Sequence, residues 1–268
     1  MTTERRYREP RTYGIINWRG LWTLYTKEVW RFIKVWSQTL LAPVITSLLF
    51  LAIFNLALGR SVAVTGGVPF LEFLTPGLIM MMIAQNGFAN TSSSILIAKI
   101  QGNIVDFLMP PIGASELMLA YVLSGITRGV LVGAVTLLAM LFFVPITIHH
   151  LGVILFFTLA ASLMMSMLGI IAGLWAEKFD HIAAITNFIV TPLSFLSGTF
   201  YSIERLPEIF QQIALFNPLF YMIDGFRYGF IDRADAPLWL GATVLIGVNL
   251  ALWWVTARLL AKGYKLKA

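Results

Sequence analysis

Six stretches of this sequence are apolar for long enough to cross a lipid bilayer as helices. They are roughly residues 39–58, 70–98, 115–144, 151–175, 183–202 and 238–260. A hydrocarbon core about 30 Å thick requires about 20 mostly apolar residues per helix. Only 12% of the residues are charged and the mean hydropathy is +0.81, which excludes an ordinary soluble domain. The sequence therefore predicts an all-α integral membrane protein with six transmembrane helices, in one domain covering residues 1–268.

The basic residues indicate how these helices are oriented. If both termini are cytoplasmic, the inner segments carry fourteen of the 19 Lys and Arg residues. The outer segments then carry four, which are Arg60, Arg205, Arg227 and Arg233. Because inner loops of membrane proteins are enriched in these residues, we expect both termini to lie in the cytoplasm. Residues 1–17 and 261–268 are then basic cytoplasmic tails, and the six-span bundle covers 39–260.

Residues 18–38 have the pattern of an amphipathic helix. Aromatic and apolar residues recur at three- and four-residue spacing, at Trp18, Trp22, Tyr25, Val29, Phe32 and Trp36. Polar and basic residues fall on the opposite face, at Arg19, Thr23, Lys27, Arg31 and Lys34. Such a helix lies at the inner membrane interface, with its rings in the headgroup layer and its cations beside anionic lipid. Two roles stay open: a plain anchor for the first span, or a part in admitting a lipid-like substrate.

The cytoplasmic connection between spans two and three, residues 99–117, predicts a short exposed helix. Its apolar residues are Ile104, Val105, Phe107 and Leu108, and its polar residues are Gln101, Asn103 and Asp106. Pro110, Pro111 and Gly113 end any helix at this point. An apolar patch on the cytoplasmic side is unfavourable unless a partner covers it, so we expect this loop to contact another protein.

Arg128 differs from the other cations because it lies deep inside a predicted span. It stands about 13 residues past the inner end of the third span, which is about 20 Å along a helix. An isolated charge at that depth costs about 2.5–3.5 kcal/mol, so Arg128 is expected to face the bundle. Span two offers Asn86, Asn90 and Ser93 on one helical stripe. We expect these four residues to form a buried polar network, and contact with a substrate or lipid headgroup is the alternative.

A second polar stripe lies in span five. Asn187, Thr191, Ser194 and Tyr201 share a face there, and Pro192 kinks the helix beside them. Small and polar residues of this kind line a translocation path or pack against a neighbouring helix, and the sequence leaves both open.

Residues 191–229 break into short pieces that are apolar on one side. Pro192, Pro207 and Pro218 interrupt the helical pattern, which predicts an outer re-entrant helical pair between transmembrane helices five and six. Glu204, Asp224 and Arg227 fall in or beside this pair. Asp224 and Arg227 have the spacing of a helical ion pair. These residues form either an outer gate or a simple solvated pair.

Several chemistries have no support in the sequence. The chain has no cysteine, and its three histidines lack a second ligand at metal-binding spacing. Neither a G-x-x-x-x-G-K-[ST] nor a G-x-S-x-G motif occurs, so we expect no catalytic, cofactor or metal site. The pI of about 9.7 reflects topology and contact with anionic lipid rather than nucleic acid. Energy must come from another polypeptide or from a gradient, and a gradient-driven carrier would predict inverted repeats and an intramembrane carboxylate.

Three motifs resemble the ABC-2-type transporter permeases. They are PGLIMM at 76–81, NIVDFLMPPI at 103–112, and the set Ser197-Gly198, Pro218-Leu219-Phe220-Tyr221 and Arg227. The combination is similar to the YadH-like bacterial inner-membrane group of that family. The resemblance implies a multi-pass protein of the bacterial cytoplasmic (inner) membrane. It further implies the transmembrane subunit of an ABC exporter, with no ATPase activity of its own.

The resemblance also implies partners and functional residues. A homodimer would dock on two separate ATPase subunits, which hold ATP and magnesium, and would move substrate outward by alternating access. The ATPase-coupling loop would comprise Gln101, Asn103, Ile104, Val105, Asp106, Phe107 and Leu108. The path would run between spans one and five, which adds Thr46, Phe50 and Asn55 to the path residues. The expected cargo is amphipathic, lipid-like or drug-like, and a polysaccharide or lipid-linked glycan is the alternative within the family.

Overall fold

A computed structural model describes residues 16–58, 64–65, 68–103, 112–203 and 206–265. The α-helices of this part are α1 (Trp18–Ile33), α2 (Ala42–Leu58), α3 (Phe70–Ile100), α4 (Ala114–Met140), α5 (Leu151–Trp175), α6 (Phe179–Ile185), α7 (Thr191–Leu196), α8 (Glu208–Phe216), α9 (Pro218–Ile231) and α10 (Leu238–Ala261). Two π-helical turns, Ser37–Leu41 and Thr186–Val190, lead into α2 and α7. Strands β1 (Val64–Thr65) and β2 (Val68–Pro69) pair antiparallel before α3.

Five segments of the described chain are long and apolar enough to cross a membrane. They are Ser37–Leu56, Ala114–Met140, Leu151–Trp175, Phe179–Leu196 and Leu238–Ala261. Each overlaps one of the predicted spans, so the fold is that of an all-α membrane protein. The two π-helical turns fall inside the first and fourth of these segments and leave their helical course continuous.

The remaining predicted span, 70–98, corresponds to α3, which has 31 residues and is therefore about 46 Å long. It is more polar than the other long helices because it carries Asn86, Asn90 and the run Thr91–Ser94. Most of its residues are nevertheless buried, since α4, α5 and α9 pack around it. A helix enclosed by protein can carry polar side chains that would be unfavourable against lipid.

Two predicted span boundaries are wrong, and the backbone explains both. Helix α4 ends at Met140 rather than near residue 144, and Pro145, which has no N–H to donate, ends the helical hydrogen bonds that continue to Val144. The fifth span covers Phe179–Leu196 rather than 183–202. Its helix ends before Gly198, whose φ of +75° lies in the left-handed region that glycine tolerates. Apolar side chains continue past both ends, so hydropathy alone overextends these helices.

Residues 33–38, which we call the elbow, join α1 to the first span, with a turn at Lys34 and Val35. Val35 donates its N–H to the Phe32 carbonyl as α1 ends, and the π-helical turn begins at Ser37. The Thr39 hydroxyl donates to the Phe32 carbonyl at 2.9 Å and to the Val35 carbonyl at 3.2 Å. A side chain that bonds to main-chain carbonyls in this way is a recognised cause of helix bending. Thr39 thus bonds to main-chain carbonyls where the α-helical pattern is interrupted.

Close packing of α3, α4 and α5 rests on a glycine stripe of α4. A Cβ at Gly125 would lie 2.2 Å from the Ser166 Oγ, and one at Gly129 would lie 2.8 Å from the Ser162 Oγ. The glycines recur every four residues and so form one face of the helix, as in small-residue contacts between membrane helices. Larger side chains at either position would push α5 away from α4.

The face that α1 packs against the bundle was not predicted from the sequence. Leu21, Leu24, Glu28 and Phe32 are buried against α4 and its neighbours. Trp18, Trp22 and Trp30 are 68%, 63% and 59% exposed, so most of the rings face outward. Tryptophan is amphipathic and favours the membrane interface, so exposed rings suit the interfacial position predicted for α1. The prediction considered the rings and the cations, and it did not identify the face that packs on the bundle.

Two short helices, α8 and α9, lie between the fifth span and α10, where the outer helical pair is predicted. In α8, Ile209, Phe210, Ile213 and Phe216 are exposed, and Phe216 reaches 90%. In contrast, α9 is buried along most of its length against α3, α5 and α10. Asn217 separates the two helices, and its Oδ1 accepts the Leu219 N–H to start α9. One helix of the pair is thus central and the other is peripheral.

Candidate functional site

The structure brings the predicted polar residues of α3 and α4 together within the bundle. The Arg128 Nη2 donates to the Asn86 Oδ1 at 2.9 Å. One turn further along α3, the Asn90 Nδ2 donates to the Ser124 Oγ at 2.9 Å. The two antiparallel helices therefore face each other with polar groups at successive turns. Ser124 was not predicted as part of this network.

Helix α1 adds an ion pair to this network. The Glu28 side chain is completely buried, and its Oε2 accepts the Arg31 Nε at 2.9 Å and the Ser94 Oγ at 2.6 Å. The Arg31 Nη2 donates to the carbonyl and the Oδ1 of Asn90, at 2.8 and 2.9 Å. Its Nη1 approaches Ser93 Oγ at 3.5 Å. Arg31, predicted to face lipid, is therefore turned toward α3.

The outer residues Asp224 and Arg227 do not form the helical ion pair that their spacing predicted. They are 3% and 1% exposed, so a solvated pair is excluded. Asp224 accepts the backbone N–H groups of Asp235 and Ala236 at 2.9 and 3.0 Å, and so holds the turn before α10. Glu204, the third predicted residue here, lies outside the described residues.

Arg227 joins three segments at the end of the bundle that the sequence predicts to be the outer one. Its Nη2 donates to the Gly198 carbonyl at 2.5 Å, and its Nε donates to the Phe73 carbonyl at 3.3 Å. The guanidinium carbon also lies 3.9 Å from the centre of the Phe73 ring. A Cβ at Gly77 would lie 2.4 Å from the Thr199 carbonyl oxygen, so α3 touches the same turn. We call this contact of α3, residues 197–199 and α9 the outer junction.

Asn217 completes the outer junction. Its Nδ2 donates to the Ser197 Oγ at 2.8 Å and to the Leu193 carbonyl at 3.1 Å. The motif residues Gly77, Ser197, Gly198 and Arg227, which are far apart in the sequence, therefore meet at one place. Sequence reasoning missed Asn217, although its position before Pro218 is typical of a helix N-cap.

The predicted path residues lie at the surface of the protomer or beside it, with one exception. Thr46, Asn55 and Asn187 are exposed, and Phe50, Thr191 and Tyr201 are half-buried. The Tyr201 hydroxyl donates to the Phe195 carbonyl at 3.2 Å. Ser194 is the exception, since it is buried and its hydroxyl donates to the Val190 carbonyl at 2.7 Å. The protomer alone therefore does not enclose these residues around one channel.

Aromatic rings connect span one to the end of span five. Phe50 and Phe54 of α2 pack against Phe200, with ring centres 5.7 and 5.0 Å away, and Phe195 lies 5.2 Å from Phe200. A mostly apolar cavity of about 390 Å³ lies beside α2. It is lined by Ile45, Leu48, Leu49, Leu51, Ala52, Asn55, Leu71, Phe143 and Val144.

The predicted coupling loop is described only at its ends. Gln101 and Asn103 are exposed, and the Asn103 Nδ2 donates to the Gln101 Oε1 at 3.2 Å. The other predicted coupling residues, Ile104, Val105, Asp106, Phe107 and Leu108, lie outside the described residues. Before the loop, the Lys99 Nζ donates to the Leu174 and Ala176 carbonyls at 2.7 Å each. The first end of the loop is thereby tied to the end of α5.

The second end of the loop is tied to the start of α1. The Glu116 Oε1 accepts the Asn17 N–H at 2.6 Å, and its other oxygen accepts the Gly113 N–H. On the same side of the bundle, the Lys265 Nζ donates to the Glu177 Oε1 at 2.8 Å. That bond lowers the pKa of Glu177 and raises the pKa of Lys265. Helix α1 and both ends of the loop thus contact the bundle at defined points.

No set of three His, Cys, Asp or Glu side chains within the described part of the chain is arranged to hold a metal ion. The family comparison decides which kind of protein this is: the family described as "ABC-2 type transporter" matches residues 19–231. The chain belongs to the ABC-2 type transporter family. The match covers every helix from α1 to α9.

Individual relatives agree with this family membership. The chain is 36% identical over 251 residues to the inner membrane transport permease YadH of Escherichia coli strain K12, covering 94% of this chain and 98% of the relative. It is 26% identical over 250 residues to nodulation protein J of Rhizobium leguminosarum bv. viciae, covering 87% and 89%. This ABC-2 chain is therefore a transport permease and a multi-pass protein of the inner membrane.

Proposed function

We propose that this ABC-2 permease is the transmembrane subunit of an ATP-driven exporter. Two copies, docked on two separate ATPase subunits, move an amphipathic, lipid-like or drug-like molecule outward by alternating access. ATP and magnesium bind to the ATPase partner rather than to this chain. In this proposal α3 completes a set of six spans, both termini are cytoplasmic, and α8 with α9 forms the outer re-entrant pair of a single 1–268 domain.

The observation that carries the homodimer is the exposure of polar residues on spans one and five. Only 28% of span one, 11% of span five and 17% of α10 are buried within the protomer, so the kind of residue that is exposed distinguishes them. Thr46, Asn55 and Asn187 are exposed on spans one and five, and polar side chains without partners are unfavourable against hydrocarbon. The exposed face of α10 is instead rich in apolar residues such as Leu250, which suits lipid. A second copy that covers spans one and five would shield the polar side chains and enclose a path.

Cross-linking tests the homodimer directly, because the natural chain contains no cysteine. Phe188→Cys, on the 81% exposed ring beside Asn187, is expected to form a disulfide-linked dimer in membranes. Leu250→Cys on α10, at a side chain that is 66% exposed, is the matched control and is expected to stay monomeric. Immunoblots without reductant give the readout. Equal cross-linking at both positions, or at neither, would contradict this interface.

Coupling to an ATPase is tested at the loop between α3 and α4. Asp106→Ala combined with Leu108→Ala is expected to reduce transport-linked ATP hydrolysis about tenfold, as loss of about 1.4 kcal/mol of docking energy would do. Lys262→Ala, at the inner end of α10, is the control and is expected to keep activity. ATP hydrolysis is measured in proteoliposomes that contain both subunits. Normal hydrolysis by the loop variant would remove the loop from the docking site.

Two other functions make different predictions. A polysaccharide or lipid-linked glycan exporter is favoured by the rings of Phe50, Phe54 and Phe200, because sugars stack on aromatic faces. A gradient-driven carrier would function without an ATPase, and the buried Glu28 is paired with Arg31 rather than free to relay protons. Mass spectrometry of the chain purified in mild detergent separates these classes. A stoichiometric partner with a P-loop supports an ABC exporter, and its absence in several detergents supports the carrier.

A further inference from the structure

The polar network around α1 carries more positive than negative charge. Arg31 and Arg128 bind to α3 one helical turn apart, through Asn90 and Asn86 respectively. Glu28 is the carboxylate that this network contains, and it is bonded to Arg31. We call Glu28, Arg31, Asn86, Asn90 and Arg128 the arginine cluster. With all three ionisable groups charged, the cluster has a net charge of +1.

Arg128 is the cation that lacks a counter-charge. The residue is only 8% exposed, and its Nε has no hydrogen-bond partner. Its Nη2 is bonded to a neutral amide, and no carboxylate of the described residues lies within ion-pair distance of it. A buried guanidinium has five donors and is stabilised when an anion accepts them. The protomer therefore leaves both a charge and a donor of Arg128 unsatisfied.

The cluster can be reached from the surface of the protomer. About a quarter of the Arg31 side chain is exposed, at 26%. Every residue of the elbow, from Ile33 to Gln38, is exposed. Trp30 and Trp36 on the same stretch are 59% and 58% exposed, as expected for a segment at the headgroup layer. An amphipathic molecule of the inner leaflet would meet Arg31 first, and Arg128 lies one turn of α3 further in.

We propose that the arginine cluster binds an oxyanion, the phosphate or carboxylate group of an amphipathic molecule that enters from the inner leaflet at the elbow between α1 and α2. Guanidinium groups match such anions because two parallel N–H donors can bond two oxygens. The bound anion supplies the missing negative charge and the acceptor for Arg128. The ligand is either a membrane lipid or the transported molecule, and the binding site is independent of whether the chain exports its cargo with ATP.

Binding is tested with the full chain, delipidated in an uncharged detergent, by measuring thermal unfolding against ligand concentration. Dioctanoyl phosphatidic acid is expected to stabilise the protein saturably, and dioctanoylglycerol, which lacks the phosphate, is expected to have no effect. Arg128→Met is expected to weaken binding about ten- to hundredfold, the range for loss of a charged hydrogen bond. Arg19→Gln removes an exposed cation from α1, the helix that carries Arg31, and serves as the control, with binding unchanged.

A second variant keeps Arg128 and so does not depend on the fold tolerating its loss. Asn86→Asp places a carboxylate where the amide oxygen now lies, 2.9 Å from the Arg128 Nη2. It is expected to stabilise the ligand-free protein and to abolish the response to phosphatidic acid, because the charge is then satisfied internally. A network that is only structural predicts the same response in wild type, Arg128→Met and Asn86→Asp, and that result would overturn the proposal.

Two further outcomes separate the possible ligands. A response to phosphatidic acid but not to inorganic phosphate assigns the site to an amphipathic anion. An equal response to inorganic phosphate would assign it to a soluble anion and overturn entry from the inner leaflet. Loss of binding in Arg19→Gln to the same extent as in Arg128→Met would reduce the effect to general surface charge and also overturn the proposal. None of these measurements requires an ATPase, so they stand apart from the test of the exporter.

Discussion

Glu28→Ala is expected to destabilise the protein by about 3 kcal/mol, at the low end of the range for breaking a buried ion pair. The substitution leaves Arg31 without its carboxylate and the Ser94 hydroxyl without its acceptor. Arg31 is partly exposed, so water can compensate for some of the loss. Unfolding in mixed micelles with increasing dodecyl sulfate measures the effect. Glu208→Ala, an exposed acid at the start of α8, is the control and is expected to change stability by less than about 0.5 kcal/mol.

A double variant shows whether the ion pair itself is responsible. Arg31→Met alone leaves a buried carboxylate unpaired, so it is expected to be as damaging as Glu28→Ala. Glu28→Met combined with Arg31→Met removes both charges and fills the space with apolar side chains, and it is expected to regain most of the lost stability. If the two single effects add in the double variant instead, Glu28 and Arg31 act independently, and the ion pair does not hold α1 on α3.

The membrane fold could be predicted from the sequence because a helix must be apolar over about 20 residues to cross the hydrocarbon core. The segment Leu151–Trp175 has the predicted bounds, and Leu238–Ala261 differs from its prediction by one residue. Apolar runs do not locate the ends of helices, because backbone conformation determines where a helix ends. Pro145 and Gly198 end their helices within apolar sequence, and a hydropathy average does not register either effect.

The inner polar network was partly predictable. Asn86 and Arg128 lie at matching depths in antiparallel spans, and depth can be counted from the sequence. Glu28 was missed because the aromatic residues dominated the assignment of the α1 face. Its position was nevertheless readable, since Leu21, Leu24, Glu28 and Phe32 follow helical spacing. A lone acid within such an apolar stripe indicates a buried partner, here Arg31.

The outer site shows what spacing cannot establish. Asp224 and Arg227 are three residues apart on α9, and that spacing permits an ion pair. Asp224 instead accepts the main-chain N–H groups of Asp235 and Ala236. Arg227 donates to the main-chain carbonyls of Gly198 and Phe73. Main-chain partners carry no sequence signature, so only the folded chain reveals them. The motifs at 76–81 and 197–227 meet for this reason, although the sequence shows them separately.

Arg227→Met is expected to destabilise the protein by about 3 kcal/mol, because it leaves the Gly198 and Phe73 carbonyls without a buried charged donor. The side chain is 1% exposed, so water cannot replace the guanidinium. Arg227→Lys keeps the charge but not the paired donors, and an intermediate loss is expected. Arg233→Ala, on an exposed arginine just past α9, is the matched control and is expected to have no effect.

The same substitution is expected to loosen the outer junction locally. Arg227 holds residues 197–199 against α3, and Phe200 directly after them packs on Phe50 and Phe54 of span one. With Phe200→Cys as a reporter in the cysteine-free chain, maleimide labelling should be faster when Arg227 is methionine than when it is arginine. Unchanged labelling together with lost stability would show that Arg227 stabilises α9 alone. Faster labelling would show that spans one and five are held together on the outer side through this one side chain, which links the outer junction to the proposed path.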